Sequence, residues 1–283
     1  MKLAVGSFDG VHLGHQAILS GADAALTFSN HPMSVLCPDR APALVMSVDE
    51  KVSAIRACGV KDVHVLDFTR ELADLSPEGF LNRVCTLCGT SRESLRVRCG
   101  ENWRFGCGGR GDAETLRALG IPVEVVPYAV YDKEPVSSTR VRKALADGRL
   151  ADAEAMLGRP WTVIGPVVSG KGVGRTIGYP TVNVRLDAAR IALPCGVYAV
   201  KACGALGAAN YGYAPTMGER AWREPVLEIH FLDRPTVEPP ADGASLSVTF
   251  RRFIRAERAF ATTEELVAQI AADCAEIRRT DNG

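Results

Sequence analysis

The chain has no excess of charge, no long apolar run and no paired set of cysteines. Lysine plus arginine and aspartate plus glutamate each total 33 among 283 residues, so no global field draws nucleic acid. The one basic cluster, Arg251-Arg252-Phe253-Ile254-Arg255, reads as a strand with solvated charges. No stretch approaches the roughly 18 apolar residues of a membrane span. The start, Met1-Lys2-Leu3-Ala4-Val5, reaches Asp9 too soon to hold a signal-peptide apolar region. These absences predict a cytoplasmic protein without nucleic-acid or membrane partners. The 9 cysteines are scattered and read as reduced thiols used as small apolar side chains. Cys85-x-x-Cys88 with Cys99 and Cys107 leaves zinc as the lesser alternative, because the second pair lacks a zinc-ribbon spacing.

What is present is a globular composition, 47% hydrophobic and 23% charged, at a length that predicts two domains. In the first half, apolar runs at 3–5, 25–28, 63–66, 95–98 and 123–126 read as strands. Helical spacing at 49–58 and 113–119 lies between them, and Ser76-Pro77 marks a further helix start. This βαβα rhythm predicts a parallel, Rossmann-like sheet covered by helices. A helical stretch at 143–157 ends at Gly158-Arg159-Pro160. Short β-rich runs follow at 161–168, 179–184, 196–203, 227–231 and 245–250, as in a compact antiparallel barrel. Thr262-Thr263-Glu264-Glu265 caps a final helix whose apolar face is Leu266, Ile270, Cys274 and Ile277. The expected domains are 1–157 and 158–283.

Gly6-Ser7-Phe8-Asp9-Gly10-Val11-His12-Leu13-Gly14-His15 ends the first strand. Glycines at 6 and 10 suit a tight turn close to a ligand. His12 and His15 share a face if a helix follows, above the partial positive charge of its N-terminus. That arrangement is an anion site for the triphosphate of a nucleotide. Three other segments could converge there: 27–32 after a strand, Gly100–Gly106 with Asn102 and Arg104, and Ser137-Ser138-Thr139-Arg140-Val141-Arg142. The last offers hydroxyls and, one turn on, a guanidinium as a second phosphate clamp, unless it is an ordinary helix cap.

In the second half, Gly170-Lys171-Gly172-Val173-Gly174-Arg175 is too glycine-dense for ordinary strand structure. It can wrap N–H groups around phosphate oxygens, or be a flexible hairpin. Thr181 and Asn183 in Pro180-Thr181-Val182-Asn183 put two oxygen donors on one strand face, which suits Mg²⁺ shared with nucleotide phosphates. Glu228 alternates with apolar neighbours on a strand. It is either solvated or a general base aimed into a barrel.

Both halves resemble the bacterial bifunctional riboflavin kinase/FAD synthetase family. The matching segments are 6–16, 27–32, 100–106, 137–142, 157–160, 174–183, 194–198, 210–216, 227–233 and 255–260. The resemblance implies an N-terminal nucleotidyltransferase-type α/β domain that adenylylates FMN to FAD. It also implies a C-terminal six-stranded β-barrel that phosphorylates riboflavin to FMN. ATP and Mg²⁺ would serve the reaction, with small-molecule substrates as the only partners, in a monomer or weak homo-oligomer. Carried over by motif, His12 and His15 would be catalytic in holding ATP phosphates, beside Gly6 and Phe8, with Asn102 near the flavin phosphate. Ser138, Thr139 and Arg142 would clamp phosphate, as would Gly170, Gly172, Gly174 and Arg175 in the barrel. Thr181 and Asn183 would hold the metal, and Glu228 would be the catalytic base. The alternatives are a riboflavin kinase whose first domain no longer adenylylates, and a flavin-binding protein without catalysis. The chain departs from the family pattern at Ser7 (usually Asn), at Asn30 (usually Pro) and at Asp242-Gly243 (usually Tyr-Gly). Only residues 17–26 separate the histidine motif from the next strand, which implies a first helix two turns or more shorter than in the family.

Overall fold

A computed structural model describes residues 1–170, 172–213, 225–233 and 238–281. Lys171 and positions 214–216 of the matching segments lie outside the described residues. The chain divides into two compact units, Met1–Arg140 and Val141–Gly283.

The first unit is built on five strands, β1 Lys2–Val5, β2 Ala24–Phe28, β3 Asp62–Leu66, β4 Arg96–Gly100 and β5 Val123–Val126. They form a sheet in the order β3-β2-β1-β4-β5, and every neighbouring pair is parallel. The helices are α1 Leu13–Leu19, α2 Pro32–Leu36, α3 Val48–Ala57, α4 Arg70–Ala73, α5 Pro77–Leu87 and α6 Ala113–Ala118. Alternate residues of β1 face opposite sides, so Leu3 and Val5 enter one apolar cluster and Ala4 the other. Burial of both faces is what makes β1 and β2 near-continuous apolar runs, while β3, β4 and β5 carry exposed charged residues. The helix starts are fixed locally. Ser47 and Glu50 form a reciprocal capping box on α3, and Ser76 caps α5 with Pro77 at its first position. The first helix has only 7 residues. A small ribbon of β6 Val130–Tyr131 and β7 Glu134–Pro135 completes the unit.

The expected single helix over 143–157 is two, α7 Ser138–Ala146 and α8 Leu150–Leu157. Gly148 takes φ +71°, and the Gly148 and Arg149 N–H groups bond back to the Leu145 and Ala144 carbonyls. That is a glycine-terminated helix end, and no apolar periodicity reveals it.

The second unit is a closed barrel with strand order β10-β11-β12-β9-β8-β13. The strands are β8 Thr162–Val168, β9 Val182–Arg185, β10 Gly196–Ala202, β11 Ala205–Tyr213, β12 Pro225–Phe231 and β13 Ser245–Ala256. Helix α9, Val173–Thr176, and the terminal α10, Thr263–Asp281, complete it. Tyr198, Tyr211, Leu227, Ile229 and Phe250 fill the interior and are almost fully buried. The tyrosine hydroxyls are satisfied at the rim, Tyr198 donating to the Pro194 carbonyl at 2.6 Å and Tyr211 accepting the Leu193 N–H at 3.3 Å.

Helix α10 packs on the outer face, where Ala199 and Ala208 meet Cys274 and Ile277. Small side chains on β10 and β11 allow this close approach. The basic end of β13 is not simply solvated. Arg252 pairs with Glu276 at 3.0 Å, and Arg255 grips Asp273 through Nε and Nη2 at 2.8 to 3.0 Å. Asp273 is buried and also accepts from Gln269 at 2.7 Å, so this charge cluster fixes the helix against the barrel.

None of the nine cysteines, all among the described residues, is in a disulfide. Cys85 and Cys88 pack against the core, and burial with the neighbouring Cys85 pushes the Cys88 thiol up to about 11. No cluster of three or more His, Cys, Asp or Glu suited to a metal occurs among the described residues.

Candidate functional sites

The first site stands at the carboxyl ends of β1, β2 and β4, where strand order reverses about β1 and open α/β sheets bind ligands. The chain leaves β1 through a contorted loop in which Phe8, Gly10 and Val11 have φ of +48°, +87° and +41°. For a β-branched residue such as Val11 that is a true outlier, of the kind held only where surrounding contacts enforce it. Asp9 is buried, and its carboxylate takes the Val45 N–H at 3.0 and 3.1 Å. Its carbonyl accepts the Ser138 hydroxyl at 2.8 Å. The Ser7 carbonyl accepts the Thr27 hydroxyl at 3.0 Å and the Lys51 ammonium at 3.2 Å. Lys51 is buried and also donates to the Phe28 carbonyl at 2.6 Å. Burial holds its pKa below that of an ordinary lysine, and Asp9 opposes part of the shift. One ammonium therefore ties the exits of β1 and β2 together.

This loop presents the histidines. His12 caps α1, its Nδ1 accepting the His15 N–H at 3.3 Å. The two imidazoles stack with centroids 3.6 Å apart, and Phe8 meets His15 edge-on at 5.3 Å. Gly14 is needed for room, since a Cβ there would lie 3.2 Å from the His12 ring. Gly6 serves likewise rather than through a special turn, as its Cβ would lie 3.0 Å from the Phe8 ring. Phe8 is fully buried, so its side chain positions His15. Ser138 and Arg142 sit one turn apart on α7, Ser137 capping it by accepting the Arg140 N–H at 3.3 Å. Thr139 is exposed beside them, and Asn102 is exposed on the turn after β4. Trp103 and Phe105, stacked at 4.6 Å, join Phe28, Phe68 and Phe80 around a cavity of about 260 Å³.

The second site lies on the outside of the barrel, so of the two readings of Glu228, solvated on its strand or aimed into the barrel, the inward aim is corrected. Leu227 and Ile229 occupy the interior while Glu228 is exposed between them. Strand register sets Glu228 opposite Asn183 on β9 and opposite Asn210 on β11, and paired residues share a face. Arg255 and Val197 continue the row through β13 and β10. The row opens on a cavity of about 570 Å³ between the barrel wall and Leu266 and Ile270 of α10, lined also by Thr181, Asn210 and Glu228.

Thr181 lies one residue before β9, which spans Val182–Arg185 rather than the expected 179–184. The Tyr179 N–H is instead engaged by the Gly174 carbonyl at 2.7 Å, closing the glycine loop. In that loop Gly172 takes φ +72° and caps the single turn α9, which carries Gly174 and the exposed Arg175. Gly170 leaves space for Asn183, whose Nδ2 would lie 2.0 Å from a Cβ at 170. The Asn183 Oδ1 is buried with no hydrogen-bond partner among the described residues. An orphaned buried oxygen two residues from a threonine suits a hard cation. Sequence reasoning missed Lys51, which reads as a helix surface charge. It also missed Glu257, which accepts from Asn210 at 3.0 Å.

A parallel α/β unit with a candidate histidine anion site and a closed barrel with a glycine loop and an aligned carboxylate together fit a two-site nucleotide-dependent transferase. The FAD synthetase family model matches residues 1–140 and the riboflavin kinase model residues 157–280. A bifunctional riboflavin kinase/FMN adenylyltransferase of Escherichia coli K12 is 36% identical, over 96% of this chain and 90% of its own. That of Bacillus subtilis 168 is 34% identical, over 96% and 89%. The chain belongs to the bifunctional riboflavin kinase/FMN adenylyltransferase family. A solved structure described as a macrolide-efflux protein from Streptococcus pneumoniae is similar over 99% of this chain and 93% of that one, with TM-score 0.81 and 28% identity. Among the described residues no helix is long and apolar enough to cross a membrane.

Proposed function

We propose that Glu228 is the base of the riboflavin kinase step and that the His12–His15 pair stabilises charge in FMN adenylylation. The observation that carries the first assignment is the Asn183–Glu228–Asn210 row at the mouth of the cavity under α10. With the flavin ring against Leu266 and Ile270, Glu228 accepts the proton of the riboflavin 5′-hydroxyl. The hydroxyl oxygen bonds to the γ-phosphorus of ATP, the bond to the β-phosphate oxygen breaks, and ADP leaves. Gly170, Gly172, Gly174 and Arg175 cradle the phosphates. Thr181 and Asn183 would hold Mg²⁺, which when bound supplies charge neutralisation at those phosphates.

In the α/β unit a phosphate oxygen of FMN bonds to the α-phosphorus of ATP and pyrophosphate leaves. His12, His15 and Arg142 stabilise the developing charge, with Ser138, Thr139 and Asn102 as phosphate partners. The 260 Å³ aromatic cavity takes the flavin ring. The functional division is at 157/158, supported by the start of the kinase match at 157. The protein works in the cytoplasm as a monomer or weak homo-oligomer. His15→Ala is expected to stop conversion of FMN to FAD while riboflavin still gives FMN. Normal FAD output would remove His15 from the mechanism.

A further inference from the structure

We propose that Asn30 is a positioning residue for FMN in the adenylylation step, acting through Phe68. The inference rests on the reading of the 260 Å³ cavity as the flavin site, and its test separates the two. β2 and β3 pair in parallel as far as Phe28 and Leu66, and the Ser29 N–H carries the ladder one step on to the Leu66 carbonyl at 3.1 Å. The Asn30 side chain then takes over. Its Nδ2 donates to the Phe68 carbonyl at 2.9 Å, and its Oδ1 accepts the Phe68 N–H at 2.8 Å. A carboxamide offers one donor face and one acceptor in a single plane, as a strand backbone does. Both backbone groups of Phe68 are thus satisfied by one side chain.

The consequence lies in what Phe68 carries. Its ring stands edge-on to Phe28 with centroids 5.3 Å apart, and both rings line the cavity. Thr69 then caps α4, which brings Leu72 and Ala73 to the same wall. The wall contributed after β4 is held by its own ring contacts, Trp103 on Phe105 and Phe105 on Phe80 at 5.5 Å. The wall contributed after β3 follows a turn, and Asn30 fixes the backbone of that turn. Ser29 donates its hydroxyl to Asp67 beside it, so the turn has a second tie when the amide is removed. A looser wall weakens the grip on a flat apolar ring and leaves the phosphate-binding histidines in place. The effect therefore falls on FMN and not on ATP.

The test is steady-state adenylylation of supplied FMN by the full chain, with FMN binding measured by flavin fluorescence. Asn30→Ala is expected to raise KM and Kd for FMN about tenfold, near 1.4 kcal/mol, with KM for ATP and kcat within about twofold. Asn30→Asp keeps the acceptor but sets a carboxylate oxygen against the Phe68 carbonyl, and is expected to raise both values at least as far. Conversion of riboflavin to FMN by the same variants reports that the chain is folded. Equal rises in KM for FMN and ATP, or a fall in kcat alone, would overturn the proposal. So would loss of both activities in both variants, which makes the amide merely structural. Trp103→Ala tests the cavity itself. If it leaves FMN binding unchanged, the flavin-site reading fails. If it weakens binding while the Asn30 variants do not, only the role of Asn30 fails.

Discussion

Replacing Glu228 by Gln removes a base and keeps the shape of the side chain. Glu228 is exposed on β12, between the buried Leu227 and Ile229, and glutamine has the same shape. The change in stability is therefore expected to stay within about 0.5 kcal/mol. Glutamine can still hydrogen-bond the 5′-hydroxyl of riboflavin, so ground-state binding is largely kept, but it cannot take the proton. A positioned base contributes roughly 10²–10⁴ in rate, so kcat for FMN formation should fall by about that factor. At 1.36 kcal/mol per tenfold this is about 3–5 kcal/mol of barrier. The assay is chromatographic separation of riboflavin, FMN and FAD at saturating ATP and Mg²⁺, run once from riboflavin and once from FMN. Glu228→Gln should fail in the first and match the parent in the second. FMN formation within threefold of the parent would refute the base. Loss of both reactions in a folded protein would refute separate sites.

The remaining expectations concern space and titration. Gly14→Ala sets a Cβ 3.2 Å from the His12 ring; adenylylation should fall about tenfold while helix propensity raises stability by up to about 1 kcal/mol. Unchanged FAD output would show that the ring adapts freely. Gly170→Ala places a Cβ 2.0 Å from the Asn183 amide, so riboflavin kinase activity should drop roughly a hundredfold while supplied FMN is still converted; an unaffected kinase would dissociate Asn183 from that chemistry. Cys88, raised from 9.0 to about 11, holds its proton longer than an ordinary thiol. Its thiolate fraction at pH 8 is then roughly a hundredth of normal. Alkylation followed by peptide mapping should be correspondingly slow at pH 8 and accelerate up to about pH 11. Labelling at the rate of a free thiol would contradict this.

The histidine motif, the Pro-Thr-x-Asn segment and Glu228 were legible because each concentrates its chemistry in a few adjacent residues. The parallel sheet was legible because β1 and β2, buried on both faces, are near-continuous apolar runs and because helical spacing recurs between the strands. Strand β11 was not, since Ala205–Tyr213 is rich in alanine and glycine; Ala208 answers to the packing of α10 and Gly207 to the barrel interior, where a Cβ would lie 2.8 Å from Ile229, not to strand propensity. The outward direction of Glu228 was equally hidden, because alternation gives two faces without saying which one is inside. Lys51 and Asn30 are out of reach for another reason. Their partners, the Ser7, Phe28 and Phe68 backbones, are brought to them only by the fold.

The central claim is that one chain converts riboflavin to FAD at two separate sites. Its most direct test is a time course of the purified protein with riboflavin, ATP and Mg²⁺, following flavins, ADP and pyrophosphate together. FMN should rise first and FAD follow, with one ADP released per riboflavin consumed and one pyrophosphate per FAD formed. FMN accumulating without pyrophosphate would contradict the adenylyltransferase site, and unchanged riboflavin would contradict the kinase site.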